Sequence, residues 1–239
     1  MSQIDTFDLD GVRFVVDIRD GKDRGTSSEN EFVLVKTKAF LDFYRGLQRC
    51  QPKRILEIGM FEGGSLVLFD KLFQPEKLMG LDIRKKPIEP LEVYRQGRSH
   101  IETFYGLSQD DPKLADILAQ QFPGGIDLIV DDASHLYEQS RKTFHLCFPH
   151  LKPGGLYVLE DWSWSHKAPY QQPTHAWYNK PALSNLVMEF LINVPGSTQM
   201  NTVTVHRDLV VIEKAGVAMG AINLEDGLDR LRGRGLAQI

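Results

Sequence analysis

Two apolar segments of the chain each end in residues that can bind a metal ion or move a proton. The first, Ile126 to Asp131, is followed by Asp132-Ala133-Ser134-His135, and 25 residues past His135 the second ends in Glu160-Asp161. If the two segments are neighbouring parallel strands, their carboxyl ends lie about 5 Å apart, which brings three carboxylates and an imidazole together. The spacing therefore predicts a metal site with a base beside it.

A glycine-rich segment lies earlier in the chain, directly after a predicted strand. It reads Leu56-Glu57-Ile58-Gly59-Met60-Phe61-Glu62-Gly63-Gly64-Ser65, and the next predicted strand ends at Asp82, 23 residues after Gly59. Glycines let a ligand approach the backbone N–H groups at the start of a helix. Asp82 is placed to accept hydrogen bonds from both hydroxyls of a ribose. These features predict a site for a nucleoside cofactor.

Two kinds of cofactor compete for this turn. The nicotinamide fingerprint needs a glycine where Phe61 stands, so that fit is poor. Glu57 would repel a pyrophosphate, but its charge suits a ligand that carries an ammonium and a sulfonium. On these residues the chain resembles, over roughly residues 50 to 215, the Rossmann-like S-adenosylmethionine-dependent methyltransferases.

This resemblance implies an α/β fold with a mostly parallel, doubly wound sheet and a C-terminal antiparallel hairpin. For Asp131 two interpretations stay open, namely contact with the methionine amine of the cofactor or capping of the next helix. The cofactor-binding residues that the resemblance implies are Glu57, Gly59, Gly63, Ser65, Asp82, Ser108, Gln109 and Asp131.

The acidic residues suit the deprotonation of an alcohol. A hydroxyl with a pKa near that of water, about 15.7, lies about nine units above an imidazole at about 6.5, a mismatch on the order of 12 kcal/mol. Because of this pKa difference, histidine alone is a weak base for such a hydroxyl. A divalent cation lowers the pKa of a hydroxyl bound to it. Oxygen ligands such as Asp132, Glu160 and Asp161 favour Mg²⁺, and His135 can then remove the proton.

The same motifs resemble those of the metal-dependent sugar O-methyltransferases of macrolide biosynthesis, the macrocin and mycinamicin type, and of their cephalosporin-hydroxylase relatives. Members carry Asp-Gly-Ser-His after the fourth strand and Glu-Asp after the fifth. The resemblance implies that Asp132, Glu160 and Asp161 are metal ligands and that His135 is the catalytic base. Ala133 stands where the family has glycine, which bears on the local backbone and not on the ligands.

An aromatic segment between Asp161 and Pro181 contains all three tryptophans of the chain. A connection of this length without secondary structure is uncommon unless it is functional. We expect it to form a lid or an acceptor wall, with Trp162, Trp164 and Tyr137 contacting the substrate. The alternative is that its aromatic residues fill the edge of the domain or an oligomer contact.

Composition limits the remaining possibilities. The chain has 239 residues, with 28 Lys and Arg against 32 Asp and Glu, and no basic stripe, so we expect no nucleic-acid partner. Two cysteines indicate a reducing compartment. The N-terminus lacks the apolar core of a signal peptide, and no segment reaches the roughly 18 apolar residues of a membrane span. We therefore expect a soluble, cytoplasmic protein without a membrane partner, and by resemblance a homo-oligomer.

Strand-like and helix-period segments alternate along the chain, which indicates a parallel sheet covered by helices. We expect an N-terminal extension over 1–49, with short strands up to about residue 20, a mobile connection over Asp20 to Asn30 and a helix over 31–49. A methyltransferase domain follows over 50–215, and a peripheral tail over 216–239. The predicted strands of this domain are Arg54–Ile58, Lys77–Asp82, His100–Tyr105, Ile126–Asp131 and Gly155–Glu160, with helices from Asp111 and Pro181 and a hairpin of 202–206 and 209–214.

Three functional hypotheses follow from the sequence. The first is an S-adenosylmethionine- and Mg²⁺-dependent O-methyltransferase that acts on a hydroxyl of a small secondary metabolite of sugar or polyketide type. The second is a catechol-type O-methyltransferase, whose acceptor has a pKa near 10 and needs the base less. The third is a nucleoside-binding module without catalysis, in which the acidic residues form a solvated rim.

Overall fold

The computed structural model describes residues 4–19, 21–216 and 221–225. It contains a seven-stranded, mostly parallel sheet and a separate three-stranded sheet. The chain divides into two compact units, Met1–Leu107 and Ser108–Ile239. Among the described residues, no helix is both long and apolar enough to cross a membrane.

The first unit begins with the three-stranded sheet. Its strands are β1 (Ile4–Leu9), β2 (Val12–Asp17) and β3 (Glu31–Leu34). β1 and β2 pair in antiparallel fashion, and β3 runs parallel to β2. Phe14, Phe32 and Leu34 of this sheet are buried, and the Phe32 ring packs against Tyr94 of the same unit.

The other part of the first unit alternates strands with helices. It contains α1 (Lys38–Gly46), β4 (Arg54–Ile58), α2 (Gly64–Phe73), β5 (Lys77–Asp82), α3 (Glu89–Tyr94) and β6 (Ile101–Tyr105). β4, β5 and β6 pair in parallel, with β5 in the middle. Almost every residue of α2 is buried, as expected for a helix that covers a sheet and is apolar nearly all round.

Gly64 and Gly80 are required by close packing in this unit. A Cβ atom at Gly64 would lie 2.1 Å from the carbonyl oxygen of Val33 in β3, so only glycine lets α2 approach that strand. A Cβ atom at Gly80, in β5, would lie 2.4 Å from the sulfur of Met60. Gly64 therefore lets the start of α2 pack on β3, and Gly80 lets the loop between β4 and α2 pack on β5.

The second unit has four strands in the order β7-β8-β10-β9. Its elements are α4 (Lys113–Gln121), β7 (Ile126–Asp131), α5 (Tyr137–Cys147), β8 (Leu151–Glu160), α6 (Ser184–Asn193), β9 (Met200–Val205) and β10 (Leu209–Lys214). β7 and β8 are parallel, and Asp131 pairs with Leu159. The residues that follow these two strands therefore leave the sheet at the same edge. β9 and β10 form the predicted C-terminal hairpin.

Most predicted elements agree with the structure, and the N-terminal extension gives the main correction. The helix predicted over 31–49 is wrong in its first part, because Glu31–Leu34 is strand β3 and the helix begins only at Lys38. The connection predicted to be mobile is held by hydrogen bonds from Gly25 N to Asp17 Oδ2 (2.9 Å) and from Val33 N to Ser27 Oγ (3.0 Å). Asp20 lies outside the described residues, as does the predicted tail over 216–239 apart from Gly216 and 221–225.

Candidate active site

The glycine-rich turn of the first unit is shaped by its backbone conformation. Gly59 and Gly63 have positive φ angles of 90° and 79°, and Phe61 between them has a φ of 49°, which is uncommon for a bulky side chain. Gly63 is the N-cap residue of α2, and glycine has no side chain that could cap the N–H groups at the start of that helix. These N–H groups can therefore serve a ligand.

Asp82 holds the turn in place. Its Oδ2 accepts hydrogen bonds from the backbone N–H groups of Met60 (3.0 Å) and Phe61 (3.2 Å), while its Oδ1 accepts one from Arg84 N (2.8 Å). A carboxylate has about four lone-pair sites, so one remains for a ribose hydroxyl. Asp82 thus organises the turn in addition to its predicted role toward a cofactor.

The other predicted cofactor residues of the first unit are largely enclosed. Glu57 is fully buried within β4, and Ser65 in the first turn of α2 is 9% exposed. Phe61 and Ile83, next to Gly59 and Asp82 in sequence, are large apolar side chains exposed by 41% and 71%. The turn and the end of β5 therefore present apolar surface beside polar backbone groups, as a nucleoside site requires.

Ser108 and Gln109 belong to the second unit, and their side chains have partners there. Ser108 Oγ donates to Asp110 Oδ1 at 2.5 Å. The Gln109 amide donates to Thr143 Oγ1 (2.8 Å), and its oxygen accepts from Ser134 N (2.9 Å). Gln109 therefore fixes the loop after β7, and its contact with a cofactor stays a prediction.

The loops after β7 and β8 bring three of the predicted residues together. One ligand atom from each of Asp132, His135 and Asp161 lies within 4.8 Å of the other two. His135 Nε2 is 3.7 Å from Asp132 Oδ1. All three side chains are partly exposed, so solvent or a ligand can reach this group, which we call the acidic cluster.

Two members of the acidic cluster have an uncommon backbone conformation. His135 and Asp161 have φ angles of 55° and 52°, in the left-handed region. Such residues cost roughly 1–3 kcal/mol each and are concentrated at functional sites. The fold therefore keeps both side chains at positions that their local backbone preference would not select.

Glu160 and Asp131, the last residues of β8 and β7, are each 1% exposed. Glu160 is not one of the three residues in the acidic cluster. Asp131 accepts a hydrogen bond from the Tyr157 hydroxyl at 2.8 Å, and burial raises the pKa of its carboxyl to about 7. The structure thus separates two buried acids from the accessible pair Asp132 and Asp161.

Lys167 places positive charge beside the acidic cluster. Its ammonium lies 3.8 Å from Asp161 Oδ1 and 3.2 Å from Asp208 Oδ1. Burial alone would raise the pKa of Asp208, but hydrogen bonds from Ser163 and Lys167 bring it below its ordinary value. Sequence reasoning missed Lys167 and Asp208, because neither lies in a recognisable motif.

The predicted substrate residues have different environments. The Tyr137 side chain is buried and its hydroxyl donates to Glu189 Oε1 on α6, so it has a structural partner already. Trp162 Nε1 donates to the His206 carbonyl at 2.9 Å. Trp164 is 3% exposed and its Nε1 donates to the His135 carbonyl at 2.6 Å. The contact of Trp164 with the loop of the expected base was not predicted, because no sequence motif indicates it.

The aromatic segment lines a cavity of about 340 Å³ that is open to solvent on one side, which we call the aromatic cavity. Trp164 packs edge-on against Tyr170 and Trp177, with ring centroids 5.2 and 5.0 Å away. The residues that line the cavity are Trp164, Ser165, His166, Tyr170, Gln171, Trp177, Tyr178, Lys180 and Ala182.

Comparison with known proteins shows which proteins this chain is similar to. Residues 56–162 match a family model described as a methyltransferase domain. The α/β fold with its mostly parallel seven-stranded sheet is the Rossmann-like fold expected from the sequence, and it is similar to that of a solved methyltransferase.

Several curated relatives are sugar O-methyltransferases of the macrocin and mycinamicin type, in agreement with the family resemblance predicted from the sequence. Demethylmacrocin O-methyltransferase of Streptomyces fradiae is 38% identical over 120 residues, which are 47% of this chain and 28% of that protein. L-olivosyl-oleandolide 3-O-methyltransferase of Streptomyces antibioticus is 33% identical over 135 residues, 54% of this chain and 33% of that one.

One solved structure that is similar to this chain contains bound ligands. MycE methyltransferase from the mycinamycin biosynthetic pathway, in complex with Mg, SAH and mycinamycin VI, aligns with a TM-score of 0.57 at 26% identity. The alignment covers 74% of this chain and 49% of the MycE chain. This chain therefore spans half or less of the length of these relatives.

Proposed function

We propose that the protein is an S-adenosylmethionine- and Mg²⁺-dependent O-methyltransferase that acts on a hydroxyl of a sugar- or polyketide-type small molecule. The observation that carries the proposal is the acidic cluster, in which two carboxylates and an imidazole lie within 4.8 Å of one another. Relatives named for O-methylation of glycosylated compounds support the acceptor class, and MycE with Mg and SAH supports the cofactors.

The first unit holds the methyl donor in this proposal. The N–H groups of the glycine turn and the remaining acceptor site of Asp82 bind its polar groups, and the exposed Phe61 and Ile83 cover its flat surface. The buried carboxylate of Glu57 attracts its positive charge. Bound S-adenosylmethionine supplies an electrophilic methyl group.

The second unit holds the cation and the acceptor. The partly exposed carboxylates of Asp132 and Asp161 offer the hard oxygen ligands that Mg²⁺ prefers. We assign Glu160, which precedes Asp161 but is 1% exposed and lies outside the acidic cluster, as the third ligand on the strength of the sequence motif alone. A divalent cation there would lower the pKa of an acceptor hydroxyl, and Lys167 near Asp161 would help to neutralise developing negative charge.

His135 takes the proton of the acceptor hydroxyl at Nε2, the atom that faces Asp132. Its place in the acidic cluster also allows a different role, that of a metal ligand. We assign it as the base because Mg²⁺ selects oxygen over imidazole ligands.

A His135→Ala variant separates these roles. We expect methyl transfer to fall by at least about 100-fold, the typical contribution of general base catalysis, while Mg²⁺ and S-adenosylmethionine still bind in calorimetry. Transfer of a labelled methyl group to L-olivosyl-oleandolide, the acceptor in the name of one relative, measures turnover. His150→Ala, which changes a histidine outside the acidic cluster, is the matched control.

Other results would revise or reject the proposal. Loss of Mg²⁺ binding in His135→Ala would make this residue a ligand and contradict its assignment as base. Partial activity of His135→Ala with a catechol acceptor would favour the catechol-type enzyme. Donor binding to the wild type without Mg²⁺ binding and without turnover would support a nucleoside-binding module instead.

A further inference from the structure

We propose that the aromatic cavity of the second unit binds one neutral glycosyl ring of the acceptor. This inference rests on the proposed function and adds to it a location and a ligand. At about 340 Å³ the cavity is at the lower end of the range of small-molecule sites, which is enough for a single ring and its substituents but not for a whole macrocycle.

The walls of the cavity suit the two kinds of surface that a sugar presents. Trp164, Tyr170, Trp177 and Tyr178 contribute aromatic rings, whose electron-rich faces attract the C–H groups on the face of a pyranose. Polar side chains occupy other parts of the lining and can bond the hydroxyls around the edge of the ring. A flat aromatic acceptor would leave those polar groups without partners.

Ser165 gives an independent indication of a polar ligand. Its Oγ is buried and, among the residues that the structure describes, has no hydrogen-bond partner. Buried hydroxyls are nearly always bonded, and a missing partner costs free energy. Rotation of the Ser165 side chain toward the cavity would let a ligand hydroxyl supply that partner, which an apolar ligand could not do.

The charge of the lining favours a neutral ligand over a cationic one. None of the nine described lining residues carries a carboxylate, and Lys180 contributes an ammonium group. A protonated amino sugar would find no carboxylate to pair with in this lining, whereas a neutral deoxysugar or hexose needs none.

Trp164 connects the cavity with the acidic cluster. Its ring lines the cavity, while its Nε1 donates to the carbonyl of His135. A ring held in the cavity thus contacts a side chain that is bonded to the loop of the proposed base, which supports a role in placing the acceptor.

Tryptophan fluorescence can test this proposal directly, because all three tryptophans lie between residues 162 and 177 and two of them line the cavity. The probe is methyl α-L-rhamnopyranoside, titrated into the wild-type protein. We expect a saturable change in emission that catechol does not reproduce. Ser165→Ala should raise the Kd by about five-fold or more, as expected for the loss of one hydrogen bond.

Ser140→Ala is the matched control, since it also removes a buried hydroxyl that has no partner among the described residues but does not line the cavity. Its Kd for the glycoside should stay within about two-fold of the wild type. A Kd unchanged in both Ser165→Ala and Trp177→Ala would overturn the proposal, as would the absence of a saturable change. Calorimetry of S-adenosylmethionine and Mg²⁺ on the same proteins shows separately whether the proposed function stands.

Discussion

Replacement of Trp164 by phenylalanine tests whether the aromatic segment positions the proposed base. The substitution keeps an aromatic ring but removes the Nε1–H group, which donates to the His135 carbonyl at 2.6 Å. His135 has a φ of 55°, a conformation that is costly for a residue other than glycine. Without this bond we expect the loop to relax and the imidazole to leave its position near Asp132.

The size of the effect follows from the burial of the bond. Trp164 is 3% exposed, so the His135 carbonyl would lose its partner in a site that water reaches poorly. A buried polar group without a partner costs about 1–3 kcal/mol. If the same free energy is lost in the transition state, kcat falls by about 5- to 150-fold, and the Tm falls by roughly 2–12 °C for a chain of this size.

The assay measures kcat, KM and the pH dependence of kcat for methyl transfer, together with the Tm. Trp177→Phe is the control, because Trp177 packs 5.0 Å from Trp164 and lines the same cavity but does not make this bond. We expect Trp164→Phe to lower kcat and Trp177→Phe mainly to raise KM. Equal kcat values in Trp164→Phe and the wild type would refute the positioning role, and so would an equal loss of kcat in both variants.

Three further predictions concern stability and are checked by thermal or denaturant unfolding. Gly64→Ala should lower the free energy of unfolding by about 1–3 kcal/mol, because the new Cβ would lie 2.1 Å from the Val33 carbonyl oxygen. Gly46→Ala, where a Cβ meets open space, is the control and should be close to neutral. Equal stability of the two variants would contradict the packing argument. Hydrogen bonds from Arg19 hold the pKa of Asp17 well below its usual range. The ionised carboxylate therefore stabilises the protein at pH values above about 3.9, the pKa of Asp in the unfolded chain. This contribution is lost as the pH falls below that value. Asp17→Asn should therefore be less stable at pH 7 and show a weaker loss in acid; an unchanged acid profile would count against this. Burial lowers the pKa of Lys214 to about 8. Between pH 8 and about 10 the unfolded chain therefore binds more protons than the folded protein, and the stability of the wild type should rise with pH. Lys214→Met should lack that rise, and a rise that persists in this variant would assign it to another group.

Much of the fold could be predicted because local pattern and burial agree. The strands Arg54–Ile58, Lys77–Asp82 and Ile126–Asp131 have the predicted limits, since each is a short apolar run in a sheet covered by helices. β3 was predicted as helix because Glu31–Leu34 is too short to show a period, and its pairing with β2 decides its conformation.

In the candidate site, as in the fold, some contacts follow from the local sequence and others depend on residues far apart in the chain. Adjacent parallel strands bring the residues after them together, so the proximity of Asp132, His135 and Asp161 could be expected from strand ends alone. The bond from Trp164 to the His135 carbonyl could not, because it joins residues 29 positions apart through the path of a loop. The same holds for Gln109 and Ser134, and for Tyr137 and Glu189.

The most direct test of the account is the dependence of methyl transfer on a divalent cation. The protein is treated exhaustively with chelator, and transfer of a labelled methyl group from S-adenosylmethionine to a glycosylated acceptor is measured before and after Mg²⁺ is restored. We expect activity to disappear and then return, and we expect Asp161→Asn to need much more Mg²⁺, because Asp161 belongs to the acidic cluster. Full rates in chelator would contradict the proposed role of the acidic cluster.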